Sequence, residues 1–231
     1  MPIQAILFDK DGTLFDFAET WGSFGRNFLL RVTNGDHARA AELGQVIGFD
    51  LEQVAYSEDS VVIAGTVEEI AEVLEPHLPE MPREELVDLL NAESASSPQA
   101  QAVPLIPFLE GLREAGLKLG VATNDGELPA SEHLSSAGIR EHFDFVAGYD
   151  SGHGFKPGPG QLFAFAQHVG VNPENIAMVG DSLHDLQAGR AAGMKTIGVL
   201  TGLARAETLE AMADVVLPNI GHIPAWLYEN A

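Results

Sequence analysis

Read only for hydrophobic and polar positions, the chain opens on a short run, passes through a purely helical stretch, and then alternates. Ala5 to Phe8 is apolar without alternation, as expected of a strand buried on both faces of a parallel sheet. From about Phe17 to Ala95 the pattern predicts helices only. Phe17, Trp21, Phe24, Phe28 and Val32 recur at spacings of three and four, the period of an amphipathic helix. Ala40 to Ile47 predicts a second helix, and Thr66 with Glu69 opens a third as a capping box. Glu84 to Leu90 predicts a fourth, ended by the small polar run Ser94 to Pro98. An aromatic stripe such as Trp21, Phe24 and Phe28 is core far more often than ligand box.

After Pro107 the pattern predicts helices over 108–115, 128–137, 160–169, 183–192 and 206–212. Between and around them it predicts strands over 117–123, 143–147, 176–179, 196–200 and 215–217. Repeated β-α alternation argues for a parallel sheet with helices on both faces. The fold expected is therefore α/β. Residues 1–15 and 100–231 make a doubly wound, Rossmann-like parallel sheet, and residues 16–99 are a helical bundle inserted after the first strand.

Composition narrows the function. The chain has 231 residues, 45% of them hydrophobic, enough for one core domain carrying a smaller insert. It has no cysteine, so disulfides and thiolate metal sites are excluded. The formal net charge of -22 makes nucleic acid and anionic membrane surfaces poor partners, because phosphate backbones need cationic contacts. An anionic substrate would need a locally cationic site built from a metal, a Lys or helix N-termini. No apolar run approaches the roughly 18 residues of a membrane span, and the N-terminus runs straight into Asp9 and Asp11 rather than reading as a signal peptide. A cytoplasmic protein, monomer or homodimer, is expected. Dinucleotide binding is disfavoured, because no Gly-x-Gly-x-x-Gly follows the first strand.

The candidate chemistry gathers at the carboxyl ends of the strands, where open α/β sheets collect ligands. The first end carries Asp9 and Asp11, two apart on an extended segment and so able to face one site. The second carries Thr123, Asn124 and Asp125, the third a loop from Gly152 to Pro157 with Lys156, and the fourth Asp181 and Asp185. Each has an ordinary account: Asp-Gly turn, helix N-cap, solvated charge, first-turn acid. One reading covers all four ends, namely magnesium-dependent handling of a phosphate ester. Asp oxygens suit a hard divalent ion.

Asp9-Lys10-Asp11-Gly12-Thr13-Leu14, Thr123-Asn124, Lys156-Pro157-Gly158-Pro159 and Gly180-Asp181-Ser182-Leu183-His184-Asp185 resemble, in order and position, the four motifs of the haloacid dehalogenase-like hydrolase superfamily. The helical insert resembles the small α-helical cap of its phosphoglycolate phosphatase-like branch. The resemblance implies a Mg²⁺-dependent phosphatase that hydrolyses a small-molecule phosphomonoester through an aspartyl-phosphate, with phosphoglycolate a candidate substrate. It implies Asp9 as nucleophile, Asp11 as general acid and then base, and Thr123, Asn124 and Lys156 as ligands of the substrate phosphoryl group. Mg²⁺ would lie on Asp9, the backbone carbonyl of Asp11 and Asp181, with Asp185 a further acid of the metal site, directly or through water. Asp11 speaks against the name-giving dehalogenases, because a halide leaves unprotonated.

Asp125 stands where many relatives of that branch carry a Lys, and a negative charge there would repel a second anionic group on the substrate. Asp16 replaces a Ser common in relatives. Phe17, Trp21 and Arg26 are the insert's candidates for facing the site, although each reads first as core or surface. Closure of the insert is expected to hinge on the 12–17 and 94–104 linkers. The competing readings are a phosphosugar mutase on the same scaffold and a non-catalytic metal-binding relative.

Overall fold

The computed structural model describes residues 2–57 and 59–229, apart from the side chain of Glu19. In chain order, β1 (Ala5–Phe8) leads into α1 (Phe17–Val32), α2 (His37–Val46), β2 (Phe49–Asp50), β3 (Ala55–Tyr56), α3 (Val61–Ala64), α4 (Val67–Leu74) and α5 (Arg83–Ala95). The alternating part follows as α6 (Leu105–Glu114), β4 (Lys118–Ala122), α7 (Glu127–Ser136), β5 (Phe145–Ala147), α8 (Gly160–Val169) and β6 (Ile176–Gly180). It closes with α9 (Leu183–Ala192), β7 (Lys195–Val199), α10 (Ala206–Glu210), β8 (Val215–Leu217) and α11 (Ile223–Glu229).

Six strands make one sheet in the order β5-β4-β1-β6-β7-β8, every pair parallel. All four residues of β1 are buried because both faces of the sheet are covered. Ile6 and Phe8 pack on one side with Leu109, Leu134, Ile220 and Ile223. Ala5 and Leu7 pack on the other with Leu162, Phe165 and Ala188. This is the two-residue alternation of a strand with a core on either side. β4 and β6 both pair with β1, so the connection after β1 runs to one side of the sheet and the connection after β6 to the other. A crevice opens at such a switch point.

The stretch between β1 and α6 buries its own apolar cluster, including Phe17, Trp21, Phe24, Phe28, Leu43, Ile70 and Leu86. Phe28 is fully buried and stacks on Phe24 with ring centroids 6.0 Å apart. Truncating such a ring removes its transfer energy and leaves a cavity. We expect Phe28→Ala to cost about 3–5 kcal/mol, read as a lowered urea midpoint. A loss under about 1 kcal/mol would mean that this cluster is not packed as a core.

The structure departs from the expected elements in several places, among them the one-turn α3 (Val61–Ala64), which no expected helix covers. The helical stretch contains a hairpin, β2–β3, built where the Asp50 carboxylate accepts from the amides of Glu52 and Gln53; two-residue strands leave no alternation to read. α2 starts at His37 because Asp36 caps it, accepting from the amides of Ala38 and Arg39. α6 begins before Pro107, which lies in the first turn, where its missing N–H costs nothing. α11 was not expected; its seven residues are too few to display a period. The Thr66–Glu69 capping box and α8 lie as expected.

Candidate active site

The parallel ladder carries one residue past β1, with the Asp9 amide donating to the Val179 carbonyl at 2.8 Å. Asp9 therefore enters the crevice beside β6. The chain then turns at Gly12 (φ +82°), and a Cβ there, or at Gly202, would overlap the Asp181 carboxylate. Those two glycines form the cradle in which Asp181 sits. Asp185 lies in the first turn of α9. Its Oδ2 accepts from the amide (3.1 Å) and hydroxyl (2.7 Å) of Ser182, completing a capping box, which aims Oδ1 at the neighbouring loop. There the Lys156 ammonium is 2.6 Å from Asp185 Oδ1 and 2.6 Å from Asp9 Oδ1. Asn124 anchors that loop, accepting from the Lys156 amide (2.9 Å) and donating to its carbonyl (2.8 Å). Thr123 Oγ1 accepts from the Asp125 amide at 3.0 Å, so its own O–H is left to donate elsewhere.

One ammonium faces three buried carboxylates, and the electrostatics show the imbalance. Burial first, and Asp185 and Asp11 after it, push Asp9 up to about 7 against the opposing pull of Lys156. Burial, Asp9 and Asp185 hold Asp181 well above the usual carboxylate range. Lys156 would be lowered by burial, but Asp185 and Asp9 outweigh that and hold it above its ordinary value. Asp181 Oδ2 is buried with no hydrogen-bond partner among the described residues, and Oδ1 accepts a 3.4 Å contact from Thr13. One oxygen each from Asp9, Asp181 and Asp185 lies within 4.8 Å of the others. Three hard oxygens, an excess of negative charge and an unpartnered lone pair fit a divalent cation.

A family model for haloacid dehalogenase-like hydrolases matches residues 3–193. The chain belongs to that family. A phosphoglycolate phosphatase of Aquifex aeolicus is 31% identical over 96% of this haloacid dehalogenase-like hydrolase and 99% of its own length. One of Neisseria meningitidis is 37% identical over 52% of the chain, which there spans about half (51%) of the relative. The crystal structure of a predicted phosphoglycolate phosphatase from Haemophilus somnus has the same fold, with TM-score 0.75 and 19% identity over 97% of both chains. Family and relatives support a phosphatase. Among the described residues, no helix of the hydrolase is long and apolar enough to cross a membrane.

The acids of this hydrolase open onto a cavity of about 40 Å³. Its floor holds Asp9, Asp11, Thr123, Lys156 and Asp181, and its roof, from the helical stretch, is apolar: Phe17, Trp21, Val62, Ile63, Val67 and Ile70. Arg26, by contrast, is exposed and lines a separate depression. Roof and floor are tied at Ala64, whose carbonyl accepts from Asn124 Nδ2 (2.8 Å) and His184 Nδ1 (3.1 Å). The Asn124 amide group is thus committed to backbone on both sides of the crevice.

Sequence reasoning passed over Lys10 and His133. Lys10 is 0% exposed, and its ammonium reaches Asp11 Oδ2 (2.6 Å), Asp125 Oδ2 (3.2 Å) and His133 Nδ1 (3.0 Å). Burial would lower Lys10, but Asp11 and Asp125 hold it above its ordinary value. Asp125 also accepts from Ser94 Oγ (3.1 Å) and the Gly126 amide (2.8 Å). The negative charge expected at Asp125 is thus partly offset by Lys10, whose one ammonium is shared with Asp11. The available signal was alternation, which turns Lys10 away from Asp9, together with the rule that a buried Lys needs partners.

Proposed function

We propose that the chain is a Mg²⁺-dependent phosphatase hydrolysing a small-molecule phosphomonoester through an aspartyl-phosphate on Asp9. One observation carries the reading: the Lys156 ammonium is shared between Asp9 and Asp185 inside a three-carboxylate cluster that still has an unpartnered oxygen. We take residues 1–15 and 100–231 as the catalytic core and 16–99 as its cap. The enzyme would act in the cytoplasm as a monomer or homodimer, without nucleic-acid or membrane partners.

Asp9 attacks phosphorus with a carboxylate oxygen, and the bond from phosphorus to the ester oxygen breaks. Asp11 gives its proton to the departing alkoxide, then takes one from the water that attacks phosphorus and frees Asp9. Lys156 offsets charge on Asp9 and on the phosphoryl oxygens, and the Thr123 hydroxyl donates to one of them. Asn124 serves substrate binding by holding the Lys156 backbone in place. Asp9, Asp181, Asp185 and the Asp11 carbonyl would hold Mg²⁺, which when bound supplies the positive charge that lets two anions meet.

The test is phosphate release, with and without Mg²⁺, from phosphoglycolate, an aryl phosphate, sugar phosphates and nucleoside monophosphates. We expect metal-dependent release, and phosphoglycolate heads the panel because the relatives above carry its name. A folded, Mg²⁺-binding protein that releases no phosphate from any of them would sink the phosphatase. Isomerisation of a sugar phosphate would then support the mutase, and its absence the non-catalytic relative.

A further inference from the structure

We infer that Lys10, seated by His133, is a positioning residue for Asp11, fixing one carboxylate oxygen so that the other is left for the proton transfer. This rests on the reading of Asp11 as general acid and base. An ammonium has three N–H donors and no acceptor, and Lys10 directs them at three acceptors: Asp11 Oδ2, Asp125 Oδ2 and His133 Nδ1. The donors are used up. Because Nζ donates, His133 Nδ1 must accept, so the imidazole carries its proton on Nε2 and donates it to the Ser94 carbonyl at 2.7 Å. Asp125 is pinned in turn by Ser94 Oγ and the Gly126 amide. The ammonium also lies 5.9 Å from the centroid of the Trp21 ring, which roofs the cavity. Asp125 and His133 are thus each held by something else, and between them they fix where the ammonium sits.

The consequence falls on Asp11. Its Oδ2 is held at 2.6 Å by Lys10, while Oδ1 is buried without a hydrogen-bond partner and Asp11 lines the cavity. A carboxylate with one oxygen tethered presents the other in a defined direction, and proton transfer needs that geometry before anything else. Lys10 also holds the Asp11 carboxylate to one side of the crevice, so that it does not turn toward Lys156, the cation already shared by Asp9 and Asp185.

A positioning role and a merely structural one separate on the leaving group. An alkyl phosphate needs a proton on its alkoxide, whereas p-nitrophenolate departs with little help. The experiment compares kcat on ethyl phosphate and p-nitrophenyl phosphate for wild type, Asp11→Asn and the double variant Lys10→Met/Asp125→Asn. The double exchange removes the cation together with the carboxylate it would otherwise orphan. General acid catalysis contributes about 10²–10⁴-fold, so Asp11→Asn should raise the aryl-to-alkyl ratio about 100-fold or more. We expect the double variant to raise that ratio by about 30-fold, part of the same span. Equal losses on both esters, with Asp11→Asn behaving as expected, would overturn the positioning role alone. Absence of turnover by wild type would overturn it together with the phosphatase reading. Where the double variant fails to fold, His133→Leu decides, since it removes the third acceptor and leaves both charges paired. A ratio raised about threefold or more, within the same general-acid span, supports the role, and an unchanged ratio overturns it.

Discussion

Asp9→Asn abolishes phosphate release while the protein stays folded: kcat falls by at least about 10⁴-fold, the order of loss seen when a nucleophile is removed. Asn keeps the shape of the side chain and its place on the ladder to Val179, but its amide is a poor nucleophile toward phosphorus. The fold has reason to tolerate the change. Asp9 is a buried carboxylate raised by its surroundings to about 7, so replacing it by a neutral amide relieves repulsion from Asp185 and Asp11. Lys156 then donates to an amide oxygen in place of one carboxylate and keeps Asp185 at 2.6 Å. The melting temperature without metal should therefore stay within a few degrees of wild type. Release above about a hundredth of the wild-type rate would place the nucleophile elsewhere.

The strand ends were legible because their chemistry is local. Asp9 and Asp11 follow an apolar run, Thr123 and Asp181 follow others, and strand order alone brings such ends to one edge. What joins them at atomic range was not legible. That Lys156 serves Asp9 and Asp185 together depends on a loop anchored by Asn124, a contact 32 residues away in the chain. Lys10 stood in view inside the first motif, yet its partners Asp125 and His133 come from another strand end and from α7. Burial of a charge is a property of its neighbours, and one sequence does not list them. The same holds for the candidates on the insert: Phe17 and Trp21 reach the cavity and Arg26 does not, although all three lie within three turns of one helix.

Metal removal should have the second largest effect, and its size should depend on pH in a definite direction. Chelation is expected to lower phosphate release about 10³-fold or more, the rate equivalent of several kcal/mol of lost charge stabilisation. Without a cation, Asp9 is pushed up to about 7 and Asp181 lies well above its ordinary value. Both are thus higher in the folded protein than in the unfolded chain, so between those values the folded state binds more protons. Stability from these groups is then fully present below about pH 4 and is lost as pH rises toward and through about 7. A divalent ion that binds only the folded cluster restores what the rising pH removes, and it competes with protons for the same oxygens. The gain in melting temperature from Mg²⁺ over chelator should accordingly be near zero at pH 5 and several degrees at pH 8. Asp181→Asn should flatten that rise, since it removes the oxygen that has no other partner. A gain that is the same at both pH values, or that survives Asp181→Asn, would mean that the ion binds outside this cluster, and the excess of carboxylates around Lys156 would then need another partner.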